Sequence, residues 1–176
     1  MKLEQTNRII IKIGSALLFN ETSGSLNKEW LNSLAEDVKY LRENDKEVII
    51  VSSGAIAMGA KDLDLDMKNM KMDMNQAVSA VGQIHLMGSF KSAFEKNEIK
   101  ISQILLTLDD TEQRRRSINA RRTIDTLLKL GIVPVVNEND TIATSEIRYG
   151  DNDRLASRVA QITSADCLIL LSNING

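Results

Sequence analysis

Two short runs of acids and amides are where this sequence offers chemistry: Asn137-Glu138-Asn139-Asp140 and, ten residues later, Gly150-Asp151-Asn152-Asp153. Asn and Asp serve element interiors poorly but suit turns and helix N-caps. They also present carboxylates and amides that hold a charged small molecule. A turn plus an N-cap accounts for either run alone and less well for the pair. Directed polar groups set on rigid elements mark a candidate site. Asp140 offers a partner to an ammonium group, and Asn152 to an amine or a carboxylate. Asp151 or Asp153 can pair with a lysine, or cap the helix that begins there.

Other segments add to this set. Lys12 is a mobile point charge suited to phosphate oxygens; its alternative is a strand-end lysine that snorkels. Ser53-Gly54 opens a helical pattern, whose free N–H groups and dipole favour an anion such as a carboxylate. Gly54 also permits close backbone approach.

The elements that must position these residues alternate along the chain. Arg8 to Ile13, Glu47 to Val51, Ile99 to Leu106, residues 132–136 and Ala165 to Leu171 read as strands. Helical spacing runs from Asn27 to Glu43, Ala55 to Ala60, about Met74 to Glu95, and Arg116 to Leu130, the last ended by Gly131. A further helical pattern follows the second acid–amide run, with Leu155, Ala156, Val159, Ala160 and Ile162. Residues 61–73 are charged, Met-rich and aperiodic, as in a surface excursion.

Alternation of this kind implies βαβ units and a parallel sheet covered on both faces. The near-continuous apolar strands, Leu168 to Leu171 among them, predict burial on both sides. Pro134 predicts an edge or irregular place for its strand, because proline donates nothing to a ladder. Ligands in such sheets bind outside the carboxyl ends of the strands. Lys12 and Gly14, Ser52 to Gly54, Asn137 to Asp140, and Ser172-Asn173 all fall there. The chain reaches Gly176 five residues after its last strand, which predicts the front portion of a longer domain.

Bulk properties narrow the class. One substantial core is possible in 176 residues, and 43% hydrophobic with 26% charged residues is ordinary for a globular chain. A net charge of −2 gives no general attraction to nucleic acid or anionic membranes. No apolar stretch approaches a membrane span, and the N-terminus does not read as a signal peptide. Cys167 and His85 are the only residues of their types, so no intrachain disulfide and no His/Cys zinc site can form. A reducing cytoplasm fits, and any metal is expected to be magnesium arriving with a phosphate ligand.

Several motifs fail. Gly54 to Gly59 has P-loop glycine spacing, but Ala60-Lys61-Asp62 follows instead of Gly-Lys-Ser/Thr. No G-x-G-x-x-G opens the first helix. His85 and Cys167 read as structural. Arg114-Arg115-Arg116 and Arg121-Arg122 read as a solvated helix face before an anion or subunit contact.

Seven segments carry a resemblance: Ile11 to Ser15, Val51 to Gly59, Val81-Gly82-Gln83, Leu105-Leu106-Thr107, Asn119-Ala120-Arg121, Pro134 to Asp140 and Gly150 to Asp153. Together, in order from about residue 7 to residue 176, they resemble the amino acid kinase family. Within it they are similar to enzymes that phosphorylate glutamate and start proline biosynthesis. The resemblance implies a three-layer αβα sandwich with a mainly parallel sheet, whose N-terminal lobe binds the amino acid and whose C-terminal lobe binds ATP with Mg²⁺. Residues 1–176 would then be the amino-acid-binding portion.

By the same resemblance Lys12 is a phosphate-binding lysine, with Gly14 beside it at the nucleotide. Ser53, Gly54, Asp140 and Asn152 fall on glutamate-binding positions with Asn137 beside them, and Asp153 is the acid that positions the lysine. Ser172-Asn173 align with a Thr-Asp pair at the nucleotide, a departure that removes one negative charge. The family's later glycine-rich nucleotide loop and its lysine lie beyond residue 176. The resemblance also implies a dimer or tetramer and feedback inhibition by proline at a site overlapping that of L-glutamate. The rivals are an acetylglutamate kinase, a non-catalytic glutamate- or proline-binding module and, from the arginine patch, a nucleic-acid role.

Overall fold

The computed structural model describes residues 3–20, 25–68, 70–143 and 151–173, without the side chains of Leu3 and Asp151. Its elements in chain order are β1 (Arg8–Ile13), α1 (Ser15–Leu18), α2 (Lys28–Glu43), β2 (Glu47–Val51), α3 (Ala55–Asp62), α4 (Met72–Glu95), β3 (Ile101–Leu106), α5 (Leu108–Glu112), α6 (Arg114–Lys129), β4 (Val133–Glu138), α7 (Asp151–Thr163) and β5 (Cys167–Leu171). Short 3-10 turns add Leu3–Gln5 and Asp140–Ile142. The strands form one sheet in the order β3-β4-β2-β1-β5, and every pairing is parallel.

Side-chain parity on the strands builds two cores. Ile9, Ile11 and Ile13 of β1, with Val48 and Ile50 of β2 and Val133 and Val135 of β4, face α2 and α4. Those helices answer with Leu31, Leu34, Ala35, Val38, Leu86, Phe90 and Phe94. The intervening Ile10, Ile49, Val51 and Val136 meet Ile124 of α6 and Leu155, Ala156 and Val159 of α7. The result is a three-layer αβα sandwich. Local signals bound its helices: Asn27 accepts the Trp30 N–H at 3.2 Å at the start of α2. At the end of α6, Gly131 has φ +72°. Its N–H bonds Leu128 O at 2.9 Å, and the Ile132 N–H bonds Leu127 O at 2.9 Å, closing a Schellman motif.

α3 and α4 cross unusually closely. A Cβ on Gly59 would lie 1.9 Å from Val78 O, and one on Gly82 would lie 1.8 Å from Ala55 O. Two missing side chains therefore let the helices touch backbone to backbone. This contact locks the start of α3, at the end of β2, to the middle of α4.

Two sequence expectations change. Pro134 sits on an interior strand, between β3 and β2. The Val133 and Asn139 N–H groups bond β3-side carbonyls, so the odd residues of β4 face β3. Pro134 therefore faces β2, and its pairing with β2 begins only at Val135. The missing donor is not needed there. β3 and β5 stand at the two ends of the order of described strands, with Leu170 55% exposed and Cys167 half-buried. Finally, β4 runs two residues further than expected, taking Asn137 and Glu138 into the sheet, and α5 precedes α6.

α5 is held by a capping box. Thr107 Oγ1 accepts the Asp110 N–H at 3.2 Å, and Asp110 Oδ2 accepts the Thr107 N–H at 2.9 Å. Arg116 adds a 3.0 Å ion pair. Partial burial pushes the Asp110 carboxyl up, but the Thr107 donors and Arg116 outweigh it and hold the group below its ordinary value. A depressed carboxylate contributes stability that is present above its unfolded pKa and lost as pH falls through the folded one. Asp110→Asn is therefore expected to cost about 1 kcal/mol at pH 7. Denaturant titrations of both proteins should show that gap closing at acid pH; a pH-independent gap would contradict the assignment.

Candidate active site at the carboxyl edge of the sheet

Strand registers fix the order of residues along this edge. Lys12 pairs with Val51 and Leu170, Val51 with Val136, and Leu106 with Glu138. One step further along come Ile13-Gly14, Ser52-Ser53, Asn137 and Leu171-Ser172. The connection after β2 enters the α3–α4 layer, whereas the one after β4 leads to α7 on the opposite face. Neighbouring strands whose connections part in this way leave a crevice for a ligand. Ser53 and Gly54 stand on its β2 side, with Asn137 and Asp140 on its β4 side.

Lys12 shares its strand face with Ile10, so it projects toward α7. There the third residue of the helix, Asp153, meets Nζ at 2.7 Å. The lysine side chain is 12% exposed and the carboxylate 49%. A first-turn carboxylate is also favoured by the helix dipole. Beside the pair, the Gly14 N–H bonds Leu171 O at 3.0 Å. A Cβ on Gly14 would stand 3.2 Å from that oxygen and 3.9 Å from both Lys12 Nζ and Ser172 Cα. Space next to the ammonium thus stays open. Ser172 and Asn173 follow directly, both exposed.

On the other side, Ser53 Oγ donates to Ile13 O at 2.8 Å and ties the β2 loop to β1. Gly54 caps α3 at φ +95°, and a Cβ there would lie 2.7 Å from Phe19 Cε2. The positive φ favours glycine, and a side chain there would also have to displace the Phe19 ring. Asn137 is 3% exposed, and its Oδ1 accepts the Glu138 N–H at 2.9 Å, which fixes the amide orientation. Its Nδ2 is buried with no hydrogen-bond partner, as is Asn152 Oδ1. An unpaired buried polar atom costs about 1–3 kcal/mol. A carboxylate oxygen would satisfy the first and an ammonium group the second.

Asp140, 7% exposed, opens the 3-10 turn after β4 and accepts a hydrogen bond on Oδ2 from Ser79 Oγ of α4. Two more α4 side chains hold the same segment. Gln83 Nε2 donates to Glu138 O at 3.4 Å and Gln76 Nε2 to Ala143 O at 3.0 Å. Sequence reasoning missed all three. The available signal was their spacing, which puts residues 76, 79 and 83 on one helix face. Gly150 and the Asp151 side chain lie outside the described residues, so of the two acids expected near Lys12 only Asp153 is placed.

Residues read as structural stay away from this edge. His85 Nε2 lies 3.2 Å from Asp62 Oδ2, joining α4 to the end of α3. Arg116, Arg121 and Arg158 pair with Asp110, Asp125 and Glu112 on the α5–α7 side. Hollows of about 690 Å³ against α5, α6 and α7, and 480 Å³ between α2 and α4, share none of the edge residues. Among the described residues no three His, Cys, Asp or Glu gather to hold a metal ion, and no helix is long and apolar enough to cross a membrane.

The sequence pattern of the amino acid kinase family matches residues 7–176. The chain belongs to the amino acid kinase family. Its α/β sandwich, with a parallel sheet carrying polar groups on the carboxyl edge, is the fold expected of a member. The chain is 60% identical to glutamate 5-kinase of Pelagibacter ubique over 176 residues, 100% of this chain and 48% of that protein. It is 56% identical to glutamate 5-kinase 1 of Mesorhizobium japonicum, covering 99% of this chain and 46% of that one. Glutamate 5-kinase of Rhodospirillum rubrum is 54% identical over 95% of this chain and 44% of its own length. The chain spans about half the length of the curated relatives it matches.

Proposed function

We propose that residues 1–176 form the amino-acid-binding portion of a kinase that transfers the γ-phosphoryl group of ATP to the side-chain carboxylate of L-glutamate. The product is glutamyl 5-phosphate, at the first step of proline biosynthesis. One observation carries the reading: a lysine of β1 paired with a carboxylate of α7, and a buried carboxylate after β4, flank a single crevice. β2 alone separates those strands, a span of about 10 Å. That suits a small amino acid with a cationic group at one end and an anionic one at the other. Relatives named glutamate 5-kinase at 54–60% identity support the same assignment.

The chemistry asks little of the protein in acid–base terms. A glutamate side chain has a pKa of about 4.3 and is already ionised at neutral pH. No general base is needed; positioning and charge neutralisation are. In this reading Asp140 and Asn152 accept the α-ammonium, and the start of α3 with Ser53 and Gly54 holds the α-carboxylate. Ser53 must turn from Ile13 O to donate there. Asn137 Nδ2 donates to a carboxylate oxygen. Lys12 neutralises the transferring phosphoryl group, held in line by Asp153. When bound, ATP with Mg²⁺ supplies that group, and Gly14, Ser172 and Asn173 border the space beside Lys12 that its phosphates would take. A cytoplasmic dimer or tetramer inhibited by proline completes the proposal.

Phosphorylation assays on the whole protein with L-glutamate and N-acetylglutamate test it. Acetylation removes the ammonium group that Asp140 would bind, and stranding a buried charge costs about 2–5 kcal/mol. The acetylated substrate is expected to show a kcat/KM lower by roughly 100-fold or more. Comparable rates would point to an acetylglutamate kinase. Glutamate binding without turnover would leave a non-catalytic amino-acid-binding module.

A further inference from the structure

We infer that Ser79 of α4, with Gln76 beside it, is a positioning residue that sets the amino-acid affinity of the site by fixing the Asp140 carboxylate. The inference rests on the glutamate reading above and deepens it. Ser79 is 1% exposed, so its hydroxyl has no solvent role, and it donates to Asp140 Oδ2. A hydrogen bond to a charged acceptor is stronger and more directional than a neutral one. Here one oxygen is committed to α4, which sets the direction in which the carboxylate plane faces the crevice.

The backbone around it is held in the same way. Gln83 bonds Glu138 O before Asp140, and Gln76 bonds Ala143 O after it. Gln83 is itself braced from the sheet by Gln103 Nε2 at 3.1 Å. Positions 76, 79 and 83 follow helical spacing, so a single polar stripe on a rigid helix holds residues 138, 140 and 143 at successive points. The same helix carries Gly82, pressed against Ala55 at the start of α3. α4 therefore fixes both sides of the crevice relative to each other, the carboxylate after β4 and the helix start after β2.

Ser79 touches neither the phosphoryl group nor Lys12, so its removal should act on uniform binding of the amino acid. Steady-state kinetics on the whole protein make the test. Ser79→Ala is expected to raise the KM for L-glutamate roughly five- to tenfold, leaving kcat and the KM for ATP within about a factor of two. Gln76→Met keeps the side-chain length without the donor and should move the same KM in the same direction. It provides the reading if the alanine variant does not fold. An unchanged KM, or a kcat that falls in step with a general loss of activity, would overturn the positioning role alone. A wild-type protein with no glutamate turnover would overturn the parent reading and this inference with it.

Discussion

Lys12→Ala in the whole protein should lower kcat by about a hundred- to a thousandfold, the usual loss when one preorganised stabiliser of transition-state charge is removed. L-Glutamate should still bind with near wild-type affinity, because the groups assigned to it stand on β2, β4 and α7 rather than on the lysine. The side chain is mostly buried, and Nζ is held at 2.7 Å by Asp153, so the charge is preset before any ligand arrives. Lys12→Arg is not expected to restore activity. A planar guanidinium is larger than an ammonium group and would need a different space beside Gly14. The fold should tolerate the alanine, since the Asp153 left behind is half exposed and an exposed charge loses little without its partner. Turnover by Lys12→Ala at the wild-type rate would sink the assignment; isothermal titration with glutamate beside the kinetic assay separates loss of chemistry from loss of binding.

Gly82→Ala is the second large effect, and it acts on the fold. The new methyl would stand 1.8 Å from Ala55 O and 2.6 Å from Gly59 N, both backbone atoms that no rotamer change can move. Either α3 shifts from α4 or both helices distort, and overpacking of this kind costs about 2–3 kcal/mol. For a domain of this size Tm should fall by about 4–12 °C. Gly88 supplies the control on the same helix, because a Cβ there meets nothing within 4 Å. Gly88→Ala should stabilise by about 0.5–1 kcal/mol through helix propensity alone. If thermal melts found the two variants alike, the close crossing would not be the constraint described.

Much of the scaffold was legible because its signals were local. β1 and β2 are runs of Ile and Val bounded by polar residues, and their limits agree with the sequence reading. Helical spacing marked α2 and the terminal glycine marked the end of α6 for the same reason. α5 was missed because five residues show no helical period, although Thr107 and Asp110 carry a capping-box pattern. Asn137 and Glu138 looked like loop because they are polar, yet both are buried in β4.

The candidate site was legible as a list of residues at strand ends, and the registers place that list on one edge. What holds it was hidden. Ser79 and Gln83 belong to the buried face of α4, and a buried polar residue in a helix reads in sequence like one more solvent-facing position. Only the tertiary partner, Asp140 or Glu138 O, distinguishes the two.

Strand parity divides this edge between two mechanical supports. Lys12 shares the Ile10 face and leans on α7, whereas Asn137 shares the Val135 face and Asp140 is gripped from α4. Asn152, proposed above as an amino-acid contact, stands on α7 instead. On the proposed function, repacking beneath α7 would therefore act chiefly on the rate of group transfer, and repacking beneath α4 chiefly on the concentration of amino acid at which the site fills. On that function selection could adjust the two quantities largely, though through Asn152 not wholly, by separate sets of apolar side chains, without altering a single residue at the crevice.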